Sequence, residues 1–290
     1  MPYQSGMDTN FHVAADKSGV STIFGGQILP EFKESFSSIF GKRGQAYSII
    51  SSAVMAYNFF HWVGKNKHID LEELGEYDEV AFEFPLRTLT NRRSSAKMDV
   101  VLINRSARKV LFIESKFTEH FKNQKFSIPY AYKCSNNYFQ NGHGDEWVKI
   151  IEETEKESGG KKGYFEGIKQ EICHLIGICA LCTDQYRCRN KRRGIISDIC
   201  DFNWKFRNIV FKPNPDFVCG ESPFKSYSEV YESLKEKVNK ISGMDIGIMD
   251  YQPIWKAICK AFPSPDGDNY RKFIETRYMA FHQGYVADDG

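Results

Sequence analysis

The chain has 290 residues, 41% of them apolar and 14% aromatic, and a net charge of only +2. That composition supports a buried core and excludes a global basic field as the means of holding nucleic acid, so any such surface must be local. No stretch approaches the roughly 18 apolar residues of a membrane span, MPYQSGMDTNFHV lacks the order of a secretory signal, and the eight cysteines show no paired spacing. The expectation is a soluble cytoplasmic protein with reduced thiols and no membrane partner.

Residues 1–26 are polar and Gly/Ser-rich and read as an N-terminal arm. Residues 27–290 read as one domain, with a core over about 45–215 and a helical extension over 216–290. Gln45 to Trp62 is a mostly apolar segment that predicts a helix buried on a sheet. The acidic run over 70–79 predicts a solvated helix or loop. Val80 to Leu89 alternates as a strand, with Pro85 marking an edge or bulge. Two apolar runs follow, MDVVLIN and KVLFIES, separated by the turn-compatible Asn104 to Arg108, and they predict a hairpin. Asp145 to Lys156 predicts an amphipathic helix, Ser158 to Gly163 a loop, and Tyr164 to Cys182 a second apolar helix. Arg207 to Lys212 predicts a short strand, and helices are expected over 227–240, 252–262 and 269–281.

The hairpin carries the chemistry. Antiparallel pairing sets the start of its first strand beside the end of its second, so Asp99 and Glu114 become neighbours. Strand alternation puts Glu114 and Lys116 on one face and turns the Ser115 side chain to the other. Two acids and a lysine at one end of a sheet suit a hard divalent cation and a water beside a phosphate. The competing reading is a surface salt bridge between Lys116 and one acid. Glu83, on the preceding strand, is a candidate third acid or a solvated strand residue.

An Asp, a hairpin and then Glu-x-Lys resembles the PD-(D/E)XK nuclease superfamily. The strings IESKFTEHF and SSAVMAYNFF, with Gln170 and His174 on the second helix, resemble a restriction-endonuclease-like family over about 45–215. The resemblance implies an α/β restriction-endonuclease-like core, a mixed central sheet flanked by helices, with additional C-terminal helices. It implies Mg2+, with Mn2+ as the alternative, held by Asp99, Glu114 and the carbonyl of Ser115. Lys116 would polarise the attacking water, and DNA in a restriction or defence setting would be the substrate. Met98 stands where the family pattern has proline, and no acid lies between Gln45 and Trp62, where many members carry a glutamate.

Gln170 and His174 would support the site from the helix, although a histidine on an apolar helix also serves as a hydrogen-bonded core residue. Glu119 would orient Lys116 or begin the next segment. Arg87, Arg92, Arg93 and Lys97, and the loop with Arg187, Arg189, Lys191, Arg192 and Arg193, flank the site as phosphate-gripping groups or as solvated charge. His174, Cys179, Cys182 and Cys188 include one Cys-x-x-Cys, a lesser zinc reading without a second pair. A homodimer fits double-strand cleavage. The rivals are a catalytically weak binding module for nucleic acid or protein, and a nuclease for RNA or repair junctions.

Overall fold

The structure is a computed structural model. It describes residues 52–64, 68–91, 96–116, 124–159, 162–163, 165–186, 199–212, 224–242, 244–263 and 269–282. The proposed arm over 1–26 lies outside these residues, as does the part of the first helix before Ser52.

A five-stranded mixed sheet organises the described chain, in the order β3 (Glu79–Leu86), β4 (Ala96–Asn104), β5 (Lys109–Lys116), β8 (Asn203–Val210), β9 (Asp245–Asp250). The first three strands are an antiparallel meander, and β5, β8 and β9 run parallel. Parallel neighbours need crossovers. The β5–β8 crossover carries α2 (Gly144–Ser158) and α3 (Phe165–Leu181), and the β8–β9 crossover is α4 (Phe224–Ser242). Helices α2, α3 and α4 cover one face, through residues such as Trp147, Ile151, Ile172, Leu175, Tyr231 and Leu234. The other face is covered by α1 (Ser52–Phe60), α5 (Gln252–Ala261) and α6 (Asn269–Arg277), through Phe59, Phe60, Trp255, Ile258 and Ile274. This is the α/β restriction-endonuclease-like core with C-terminal helices.

Local sequence explains the elements. In β4, Val101 and Ile103 join the first face while Val100 and Leu102 join the second; in β5, Val110 and Phe112 oppose Leu111 and Ile113 in the same way. Both faces are covered, so these strands read as continuous apolar runs. Their turn is fixed by Asn104, whose Oδ1 accepts from Ser106 Oγ and the Ala107 N–H at 2.8 and 2.9 Å. Helix α2 is amphipathic, burying Trp147, Ile150, Ile151 and Thr154 at helical spacing, and it ends on Gly159 at φ 52°.

Two expectations need correction. The acidic segment over 70–79 is part of a small β-hairpin: β1 (Ile69–Asp70) pairs antiparallel with β2 (Glu76–Tyr77) around a 3-10 turn. Ile69, Leu71 and Tyr77 are buried there, so alternate apolar residues outweigh the acids, which face out. The segment over 216–290 is not wholly helical, because β9 completes the sheet. A short antiparallel pair, β6 (Gln124–Lys125) with β7 (Lys162–Gly163), completes the described strands.

Candidate active site

The site lies at the end of the sheet where β4 begins and β5 and β8 end. The last β4–β5 pair is Val100 with Ile113, and the same register carried one step further sets Asp99 against Glu114. Glu114 is in turn paired with Asn208 of β8. On the other side the β3–β4 register sets Glu83 opposite Asp99, between the pairs Phe82–Val100 and Phe84–Met98. A polar row thus crosses four strands: Glu83, Asp99, Glu114, Asn208.

The strands are irregular at this row. Glu83 has φ 50°, a left-handed conformation that costs a side-chain-bearing residue on the order of 1 kcal/mol or more. The faces exchange there: Phe82 and Val100 pack with the α1 side, whereas Phe84 and Met98 pack with the α3 side. The β4–β5 ladder also opens, and the Ser115 N–H donates to Asp99 Oδ2 at 2.9 Å. A strand residue's N–H and C=O project to the same side, so the Ser115 carbonyl is turned toward the same opening. The Ser115 hydroxyl lies on the opposite face, 2.6 Å from the Tyr251 hydroxyl, as alternation requires.

Glu114 and Lys116 share the α3 face and are 3% and 1% exposed. Lys116 Nζ donates to Glu114 Oε1 at 2.6 Å and to Gln170 Oε1. This is not a surface salt bridge, because both charges are out of water and removal of either would strand the other at a cost of about 3–5 kcal/mol. Glu114 Oε2 faces His174 Nδ1 at 3.2 Å, yet the alignment is not that of a hydrogen bond and neither atom has a hydrogen-bond partner among the described residues. Burial holds the His174 ring below its usual range; the Glu114 charge opposes this and Lys116 adds to it. Gln170 and His174 therefore reach the two hairpin charges from successive turns of α3.

A further acid was hidden in the sequence. Glu171 is wholly buried between Asn208 and Tyr227, which both donate to its Oε1, while its Oε2 has no hydrogen-bond partner among the described residues. Burial pushes its carboxyl up to about 8, with Lys116 pulling it down and Glu114 pushing it up. The available signal was one acid within the apolar run IKQEICHLIGICAL, where a solvated position was not on offer.

Other residues expected at the site have structural duties or fall outside the described chain. Lys97 pairs with Glu83 at 2.7 Å on the exposed edge. Arg87 donates to the carbonyls of Thr90 at 2.9 Å and Leu89 at 3.4 Å, and so braces the β3–β4 connector. Glu119, Arg92, Arg93, Arg187, Arg189, Lys191, Arg192 and Arg193 lie outside the described residues, as does Cys188 of the zinc reading. Cys179 is a buried thiol raised to about 12 by its burial, 3.8 Å from Met244 Sδ. Among the described residues no group of three or more His, Cys, Asp and Glu is arranged around a common ion position.

At neighbouring positions of this sheet end, Asp99 and Glu114 supply carboxylates and Ser115 a backbone carbonyl. These are hard oxygen groups of the type a small divalent cation takes, with water and phosphate filling its other positions. The buried, unpartnered Glu114 Oε2 is consistent with that fit, since such an atom is costly unless something meets it.

The family Restriction Endonuclease associating with ARP matches residues 10–170, more than half of the chain. The chain belongs to that family. Membership carries a nuclease role at the level of the family. The matched span includes Glu83, Asp99, Glu114, Ser115, Lys116 and Gln170, and stops before Glu171, His174, Asn208 and Tyr227. No curated protein and no solved structure matches the chain.

Proposed function

We propose that the protein is a divalent-cation-dependent nuclease that hydrolyses DNA phosphodiester bonds, on a PD-(D/E)XK site formed by Asp99, Glu114 and Lys116. The observation that carries this reading is the buried Lys116 ammonium, held between Glu114 and Gln170 at a sheet end where Asp99 and the Ser115 backbone face one opening. A lysine buried only for packing would be an expensive choice, since an apolar residue of similar volume serves as well or better.

Asp99, Glu114 and the Ser115 carbonyl would hold Mg2+ or Mn2+. The cation supplies charge for the phosphate and a lowered pKa for an attacking water. Lys116 orients that water or a phosphate oxygen, and Gln170 fixes the ammonium in place. Glu83 flanks Asp99 from the edge strand as an outer acid, able to take a water. Restriction or defence is the setting that the family supports.

The test is cleavage of varied DNA and RNA with Mg2+, with Mn2+ and with chelator. Asp99→Ala and Lys116→Ala should each lower cleavage by about 100-fold or more, in line with removal of one group that stabilises transition-state charge. Cleavage that survives in chelator, or in either variant, would sink the site. Binding without cleavage by the wild type would favour a binding module instead, a reading also favoured by the lack of an acid on α1.

A further inference from the structure

Ser115 breaks the pattern of its face of β5. Leu111 and Ile113, the residues before it on that face, are apolar and pack with α1 and α5. Ser115 continues the row with a hydroxyl at 0% exposure. A buried hydroxyl is costly unless it is hydrogen-bonded, and an apolar side chain would need no partner at all. Two elements distant in sequence supply the partners. The Ser115 hydroxyl donates to the Ser52 carbonyl at the start of α1, at 3.2 Å. It has one proton to give, so in its 2.6 Å contact with Tyr251 the phenol is the donor. A directed chain therefore runs from the Tyr251 O–H to the Ser115 O–H to the Ser52 carbonyl.

Tyr251 is placed to reach this point and to stay there. It is wholly buried, between the end of β9 at Asp250 and the start of α5 at Gln252. Asp250 fixes that junction: Oδ1 accepts the Gln252 N–H at 3.0 Å and Oδ2 meets Lys212 at 3.2 Å. Strand β9 lies two strands from β5, with β8 between them, a span of about 9.6 Å at about 4.8 Å per strand. Among hydroxyl side chains only tyrosine is long enough to cross it. Phe59 of α1 and Phe211, just after β8, flank the ring, with centroids 4.5 and 6.5 Å from its own. Phenylalanine would fill the same space, so the hydroxyl is the part that packing leaves unexplained.

We propose that Tyr251 is a positioning residue of the candidate active site. Its hydroxyl sets Ser115 from behind the sheet, and the Ser115 backbone sets Asp99, whose Oδ2 takes the Ser115 N–H at 2.9 Å. Ser115 also joins Glu114 to Lys116 in the chain, so a peptide held from behind keeps all three charged groups in register. Small displacements of reacting groups are enough to lower a rate. The proposal rests on the nuclease reading for what the three groups do, and it adds a residue that lies beyond the family-matched span.

The experiment compares the wild type, Tyr251→Phe, Ser115→Ala and the double variant, each as the full chain. The first readout is steady-state cleavage of DNA with Mg2+ or Mn2+. Each single variant should lower kcat by about 10-fold to 100-fold with KM unchanged, the mark of displaced groups rather than lost substrate contacts. The double variant should fall no further than Ser115→Ala alone, because that substitution already cuts the bond to Tyr251. The second readout is the Ser115 amide proton by NMR, which needs no substrate. Its resonance should move upfield in Tyr251→Phe as the bond to Asp99 lengthens, while the amides of Leu111 and Ile113 stay in place. Full kcat in folded Tyr251→Phe, an unmoved Ser115 amide, or an additive loss in the double variant overturns the proposal. A wild type that cleaves nothing overturns the nuclease reading, and the amide then decides alone whether Tyr251 sets Ser115. Should Tyr251→Phe fail to fold, Ser115→Ala cuts the same bond from its other end and decides by kcat.

Discussion

Glu171 is a buried acid whose contribution to stability runs against pH. Its folded value near 8 lies above the ordinary value of 4.5 that it regains on unfolding. Between those values the folded state holds a proton that the unfolded state has released, so stability falls as pH rises through the window and levels off above it. Glu171→Gln keeps an acceptor for Tyr227 and Asn208 and removes the titration. Urea midpoints at pH 5, 6.5 and 8 should therefore fall more steeply for the wild type than for the variant, and parallel curves would show that Glu171 does not carry the slope. The sequence showed Asp99, Glu114 and Lys116 because strand alternation fixes what a hairpin puts together. It did not show Glu171, whose partners Asn208 and Tyr227 stand 37 and 56 positions away and meet it only through β8 and α4.

At the scale of elements, the position of α3 over the sheet depends on Gly177. A Cβ added there would stand 2.7 Å from Leu86 Cβ, and that atom cannot swing aside because it is fixed to the β3 backbone. Gly177→Ala should lift this turn of α3 from β3 and destabilise the protein by about 1–3 kcal/mol, the usual range for overpacking, as read from chemical denaturation. Because His174 lies on the preceding turn, the same substitution should weaken whatever binds at Glu114; a variant of unchanged stability would mean that α3 does not sit this close. The elements differed in legibility for related reasons. Helix α2 and the β4–β5 hairpin carry strong periodic patterns and were evident. Strand β9 was not, being only DIGIMD, with acids at both ends and a glycine in the middle. Its glycine makes sense only in three dimensions: a Cβ at Gly247 would lie 3.4 Å from Arg207 Nε, whose guanidinium pairs across the sheet with Asp245 at 2.7 Å.

For the whole molecule, the net charge of +2 means that long-range attraction cannot supply affinity for a polyanion. If DNA is the substrate, its hold depends on a few basic segments, and RCRNKRR is the densest of them. Each lysine or arginine that meets a phosphate releases a counterion, which contributes about 0.9 to the salt dependence of log K. Replacing Arg187, Arg189, Lys191, Arg192 and Arg193 with alanine should therefore weaken binding about tenfold or more near 0.1 M salt and flatten the slope by about one for each side chain that had met a phosphate. Fluorescence anisotropy in an Asp99→Ala background measures both without cleavage. A loss of affinity that is uniform across DNA sequences assigns the segment to the backbone; a loss confined to one sequence assigns it to base reading. Unchanged affinity and slope would remove this segment from the interface and leave Arg87, Arg92, Arg93 and Lys97 as the flank that has to do the holding. Of these four, Arg87 and Lys97 already serve the connector and Glu83, which is why the 187–193 segment is the stronger candidate.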